Sequence, residues 1–598
     1  MEAQSLPHWD VSGLFPSPRS PDFEAAVQCF FTALDEATSR FDSLGVMARV
    51  EPLPVTEETI RTAEESLARL NDLQAEHHRL QAYLRAFTST NSHDEIAQAQ
   101  TSRLEAKSVA LYQLETRFTA WLGAVDIEAL IRRSSFCAEH AFSLRKRAIA
   151  ARHLMSPEEE ALAAQLHTTG KGAWRKLYNT YSSQITAEVA LPEGKRLLPM
   201  TAVRNLAHHP DREVHRLAYE AELAAWEANA VPIAAALNSI KGEQALLARK
   251  RGWASPLDLA LFNNNIDRET LDAMMGAARE SFPHFRRYLH IKARLLGLER
   301  LAWYDLFAPV GREGKPLSFE EARDFILKQF AAFSPRMAEM GRRAFAEHWI
   351  DAEPREGKRG GAFCMWLHDE ESRILANYQP SFRGMGTLAH ELGHAYHNYV
   401  RAGLTYHQRL TPMTLAETAS IFSETLVRRA ALKQATPEEQ KAILDASLQG
   451  ATQVIVDITS RFLFEQRLFE AREARELTLA ELKALMVEAQ RETYGDGLDG
   501  EHLHPWMWAA KVHYYGSIFY NFPYMFGILF ARGLYARYEA EGEAFLAAYD
   551  DLLASTGRYG AAELAARFGI DLHSADFWRS ALASIIDEID QFAALAEG

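Results

Sequence analysis

Between about Thr56 and Ala124 the chain carries almost no proline or glycine, and Leu67, Leu70, Leu73, Leu80 and Leu84 recur at helical spacing among charged residues. Such a segment has one apolar stripe to bury, and long antiparallel helices are the simplest way to bury it. Further along, helix starts repeat in one form. Ser156-Pro157-Glu158-Glu159, Ser318-Phe319-Glu320-Glu321, Thr436-Pro437-Glu438-Glu439 and Thr478-Leu479-Ala480-Glu481 each place a hydroxyl three residues before a glutamate. That spacing lets the hydroxyl accept a helical N–H while the carboxylate reaches back. The fold class expected is mainly α.

One region departs from the helical period. After Gly357-Lys358-Arg359-Gly360-Gly361, the apolar run Ala362 to Leu367, a polar turn at Asp369 to Ser372 and the run Arg373 to Tyr378 predict a β-hairpin. A turn at Leu191-Pro192-Glu193-Gly194 suggests the boundary between an N-terminal helical unit, residues 1–195, and a larger unit, 196–598.

Composition narrows the function. Of 598 residues, 65 are Lys or Arg and 80 are Asp or Glu, and the net charge of −15 argues against nucleic acid or an anionic membrane as main partner. Three dispersed cysteines, Cys29, Cys137 and Cys364, do not make a disulfide framework or a cysteine metal site. The start of the sequence lacks the basic and apolar runs of a secretory signal, and the most apolar stretch, Ile518 to Ala531, is too short to span a bilayer. A cytoplasmic protein is expected; the oligomeric state is not legible in these residues.

His390-Glu391-Leu392-Gly393-His394 carries the chemistry. On a helix, residues four apart share a face, so both imidazoles can meet one tetrahedral cation. Glu391, rotated by about 100°, can stand beside that cation as a base toward water. With 22 histidines in the chain, random order would produce about 0.08 such matches; the alternative is a helix with two histidines in a polar core. A catalytic site needs a third protein ligand. Position 400 is Val, which excludes a third histidine at the metzincin spacing, and the first carboxylate after the motif is Glu417. Glu417 is the expected third ligand, although Thr414-x-x-Glu417 also has capping-box form. Glu424, two turns further along the same face, is the expected acceptor for the other ring N–H of a ligand histidine. His397 and His407 read as structural or surface histidines. Two imidazoles and one carboxylate leave Zn²⁺ with a charge of +1, which lowers the pKa of bound water towards 7. Glu391 would take that water's proton and pass it to a departing amine, which is amide hydrolysis.

These residues resemble the thimet oligopeptidase group of zinc peptidases, and within it the oligoendopeptidase F branch. The resemblance takes in Trp9 to Phe15, Gly357 to Phe363, Asn377-Tyr378-Gln379 with Thr387 to His394, Ala416 to Glu424, and His513-Tyr514-Tyr515 with Phe519 to Gly527. It implies a two-lobed helical clam with a deep central channel, one Zn²⁺ per chain, and unfolded oligopeptides as substrates of an endopeptidase. It also implies that a small β-sheet beside the zinc helix offers its edge, at Gly361, Ala362 and Phe363, to a peptide backbone. His513 and a tyrosine, Tyr520 or Tyr524, would donate hydrogen bonds to the oxyanion. From the residues alone, the aromatic stretch Tyr514 to Phe530 reads as core, and Pro523 predicts a kink among the tyrosines.

Two other functions compete. An end-cleaving carboxypeptidase would use an arginine near the metal, with Arg359, Arg373 and Arg383 close in sequence. A non-catalytic peptide-binding protein would be marked by loss of the catalytic glutamate or of a ligand, yet His390, Glu391, His394 and Glu417 are all present. A fully structural site would need a fourth protein ligand, for which His397 is the nearby candidate.

Overall fold

Residues 6–311 and 314–597 are described by the structure, a computed structural model; the first five residues, part of the stretch read for a signal, lie outside them. The segment poor in proline and glycine forms two long helices, Glu57–Thr90 and Glu95–Leu122, capped by Thr56 and Asp94. Leu67, Leu70, Leu73, Leu80 and Leu84 are all buried, in one core with Phe23, Phe30 and Phe41 of the Pro21–Leu44 helix. All four expected capping boxes are present. Among the described residues no helix is long and apolar enough to cross a membrane.

Three large apolar clusters, beside a small one of Tyr219, Ala302 and Tyr304, organise the described residues. The first runs from Val11 to Leu144 and takes in Met365 and Leu367 from a distant strand. The second, the largest, gathers side chains from Leu257 to Phe592, and the third joins Tyr178 to Ile240 with Leu463 to Tyr515. Small sheets complete the mainly helical body. Strands β1 (Thr186–Leu191) and β2 (Gly194–Pro199) form an antiparallel hairpin around the expected turn. Strands β3 (Ile350–Asp351), β4 (Phe363–His368) and β5 (Glu371–Leu375) form a sheet in the order β3-β5-β4.

The hairpin register differs from the one read in the sequence. Asp369 adopts φ 41°, and this left-handed residue closes the turn with Glu370, so Glu371 and Ser372 belong to β5 while Ala376 to Tyr378 leave it. Strand β4 is the sheet edge. The Trp366 carbonyl accepts a hydrogen bond from His78 Nε2 at 2.9 Å, so its backbone groups turn away from β5. By alternation Cys364 turns the same way, whereas Phe363 and Met365 face β5. The His78 ring also stacks on Trp366, with centroids 4.4 Å apart, and covers that end of the edge.

Candidate active site

Ser381 caps the helix Phe382–Val400, accepting a hydrogen bond from the Gly384 N–H. His390 and His394, one turn apart on it, bring their rings within 5.0 Å at 82°. Glu417 lies at the break between the short helix Met413–Ala416 and the helix Thr418–Leu432. Its Oε2 is 3.2 Å from His390 Nε2 and 3.4 Å from His394 Nε2. One donor atom from each of the three residues falls within 4.8 Å of the others. No capping box forms with Thr414, and the Glu417 side chain, at the N-cap position of the second helix, makes no capping hydrogen bond: the Thr414 hydroxyl donates to the Asn264 carbonyl, and Glu417 accepts from Ser420 Oγ.

The approach of these elements depends on two glycines. A Cβ at Gly393 would stand 2.5 Å from the Ala419 carbonyl oxygen and 2.6 Å from Ser420 Cα, and one at Gly527 would stand 2.9 Å from Glu417 Cβ. Backbone atoms cannot move aside as a flexible side chain can. Gly393→Ala is therefore expected to cost about 1–3 kcal/mol in stability, and by displacing Glu417 to weaken metal binding. Urea unfolding and competition with a chelator would measure the two effects.

The charges fit the same arrangement. Burial alone would raise the Glu417 carboxyl, but hydrogen bonds from both histidines hold it far below the ordinary carboxylate range. For His390 burial works downwards, and the Glu417 and Glu424 carboxylates outweigh it and raise the imidazole well above its usual value. Glu424 Oε2 lies 3.2 Å from His390 Nδ1. That contact fixes the ring so that Nε2 faces Glu417. Glu391 is 6% exposed, and its Oε2 has no hydrogen-bond partner among the described residues. Burial pushes its carboxyl up, against the charges of His390 and His394.

A second group stands nearby. The His513 ring stacks on Tyr520 with centroids 5.0 Å apart, and its Nε2 lies 3.4 Å from the Tyr524 hydroxyl. Burial, with help from Arg461 and Lys511, lowers the imidazole to about 4, so it is neutral near pH 7. Burial, Tyr520 and the charge of Glu417 together raise the Tyr524 phenol, keeping its proton available for donation. Pro523 does not kink the segment. It occupies the first turn of the helix Phe522–Glu541, where the missing N–H costs nothing. Tyr514, Tyr515, Phe519, Phe522, Phe526 and Phe530 are core, as their spacing suggests, while His513, Tyr520 and Tyr524 remain half-buried.

The turn between His513 and Tyr520 is held from below. Lys241 and Glu465, 0% and 1% exposed in their side chains, form an ion pair of 2.6 Å. Lys241 also donates to the Ser517 carbonyl at 3.0 Å, and Glu465 accepts the Phe519 N–H at 3.0 Å. Phe519 itself is at φ 46°, a left-handed conformation that this clamp supports. Sequence reasoning missed both residues; they are separated by 224 positions, and no local pattern joins them.

Two cavities meet at His390. The smaller, about 390 Å³, is lined by Ala362, Phe363 and Cys364 of the sheet edge together with Glu391, His394 and Glu417. Gly361, at φ 79°, precedes the strand, and its carbonyl accepts from Asn377 Nδ2 at 2.8 Å. The larger cavity, about 770 Å³, opens on the other side towards Arg383, Glu424 and Lys511. His397 Nε2 is taken by Thr556 Oγ1 at 2.9 Å, and His407 lies between Asn71 and Glu115, so both are structural. Of the three arginines considered for a free terminus, Arg373 is engaged by Asp10, Ser372 and Glu371, and Arg359 lies over the Phe363 ring. Arg383 alone of them lines the larger cavity.

Comparison with known proteins agrees with this picture. The family model described as peptidase family M3 matches residues 205–584, and the model described as oligopeptidase F matches residues 122–186. Oligopeptidase PepF of Bacillus subtilis (strain 168) is 25% identical over 74% of this chain and 67% of its own length. The plasmid-encoded oligoendopeptidase F of Lactococcus lactis subsp. cremoris is 26% identical over 74% and 75%. The crystal structure of oligoendopeptidase-F from Enterococcus faecium shares the fold, with a TM-score of 0.70 at 17% identity, covering 96% of this chain and 99% of that one. With well over half its length inside the match, the chain belongs to peptidase family M3, in its oligoendopeptidase F branch, and is a metallo-endopeptidase.

Proposed function

We propose that the protein is a zinc-dependent endopeptidase that hydrolyses internal bonds of oligopeptides, with one Zn²⁺ held by His390, His394 and Glu417. The convergence of these three donors within 4.8 Å, beside the unpartnered carboxylate oxygen of Glu391, carries the reading. Two imidazoles and a carboxylate are the donor set of a catalytic zinc site with an open position. A cation in that place supplies the positive charge that polarises a carbonyl and brings water's pKa towards neutrality.

The chain's own residues do the rest. Glu391 takes a proton from the attacking water and delivers it to the leaving amine; its upward-shifted carboxyl suits a group that must both accept and release that proton. His513 and Tyr524, with Tyr520 stacked behind the imidazole, donate hydrogen bonds to the oxyanion of the tetrahedral intermediate. The free edge at Ala362 and Cys364 aligns the peptide backbone, with Gly361 and Phe363 fixing the strand on either side. Glu424 fixes the His390 ring, and Glu424→Ala is expected to weaken zinc binding about 10–100-fold, read by chelator competition.

The helical unit 1–195 and the catalytic unit 196–598 are part of the proposal, as is a cytoplasmic location. The β1–β2 hairpin at that boundary packs Val189 in one cluster with Trp226 and Phe464, so the two units share apolar surface. The test of the function pairs metal analysis with cleavage of a quenched fluorescent peptide blocked at both ends. About one zinc per chain and internal cleavage, abolished by chelation and restored by Zn²⁺, are expected. Zinc binding without cleavage of the blocked peptide, but with cleavage of a free one, would replace this reading with the end-cleaving one.

A further inference from the structure

The larger cavity is cationic beyond what its own acids neutralise. Arg204 lies 3.3 Å from Glu222, Arg428 donates to Glu588, and Glu424 is occupied by His390. Arg383 and Lys511 also line this cavity, and neither has an ion pair or side-chain hydrogen bond among the described residues. Arg383 is two helical turns before His390 on the same face, and its charge reaches His208, which lines the same cavity. Lys511 is two residues before His513 and largely enclosed. Its charged neighbours are Arg461 and Arg204, which repel it, and Asp457 and Glu222, which attract it. Asp457 is already bound by Arg461 and Glu222 by Arg204.

An enclosed ammonium without a partner is costly unless an anion arrives to complete it. In the present surroundings burial lowers Lys511 to about 7, so an incoming anion would also restore its full charge. Both cavities are lined by His390, so a peptide laid along the edge of β4 and running on past that residue would enter the larger one. The anionic group that an oligopeptide brings is a carboxylate.

Resting on the endopeptidase reading, we infer that Arg383 and Lys511 form a carboxylate subsite, which binds the C-terminal carboxylate or an Asp or Glu side chain of the peptide segment beyond the cleaved bond. The chain then selects acidic or short, free-ended peptides. Backbone pairing at β4 carries no such preference.

The test uses the full-length, zinc-loaded protein and four quenched fluorescent peptides with one core sequence. They end in a free acid, in an amide, in an amide with Asp three residues after the cut, and in an amide with Lys there. For wild type, kcat/KM for the free-acid or the Asp peptide should exceed that of the plain amide about tenfold, mainly through KM, and the margin should shrink in high salt. Which of the two is preferred distinguishes terminus from side chain. In Arg383→Gln/Lys511→Met the ratio should fall to about one, Lys511→Arg should keep it, and Lys511→Glu should turn the preference towards the Lys peptide. A reversed preference cannot result from misfolding. Equal cleavage of all four peptides by wild type would overturn the subsite and leave the endopeptidase reading standing. A preference that survives the double substitution would overturn the assignment to these residues. No cleavage of any peptide would instead count against the endopeptidase reading on which the subsite rests.

Discussion

Glu391→Gln is expected to retain about one zinc per chain and to lose roughly 10²–10⁴-fold in kcat. Glutamine keeps the size and the hydrogen-bonding shape of the carboxylate but cannot accept the water's proton. Because Glu391 is no ligand in the proposed site, the three donors stay in place and metal content should not fall. KM should change little, since the loss lies in the transition state and not in ground-state binding. Zinc analysis beside steady-state kinetics on the doubly blocked peptide would show this. Full activity in the variant would remove Glu391 from the mechanism, and loss of zinc would make it a ligand.

The second large effect is expected far from the metal. Lys241→Met leaves the Glu465 carboxylate buried with the Phe519 N–H as its one remaining donor, and such a broken pair costs about 3–5 kcal/mol. Lys241→Met/Glu465→Leu removes both charges and should recover much of that stability. It still takes away the anchors of Ser517 and Phe519. If the clamp serves the His513–Tyr520 turn, the double variant should unfold nearly as wild type does while kcat stays low. A double variant restored in both stability and kcat would reduce the pair to a packing element. Urea unfolding and kcat measured on the same preparations separate these outcomes.

Much of this molecule was legible in its sequence because its determinants are local. The capping boxes at Ser156, Ser318, Thr436 and Thr478 act over three residues, and the two histidines of the motif meet by helical period alone. Glu417 could be reached because no other carboxylate lay near enough downstream. Where structure is set by contacts distant in sequence, the residues gave no warning. Nothing local marks Gly393 as the place where Ala419 must approach, and nothing pairs Lys241 with Glu465. The two-residue strand β3 is too short to leave a pattern. The aromatic stretch was ambiguous because it is truly mixed: one set of rings fills the core and another, half-buried, gathers around His513. The members proposed to act, His513, Tyr520 and Tyr524, were reached through family resemblance and not through spacing.

The short free edge of β4 has a consequence for solubility. An open sheet edge recruits other chains, and long flat ones template aggregation. Here His78 occupies the Trp366 carbonyl and lies flat on that indole, so the accessible backbone ends near Cys364. A peptide paired there, as proposed, would find room for a residue or two, and a second copy of the sheet would not. The same imidazole that would limit how firmly a substrate is gripped would also guard the protein against its own kind.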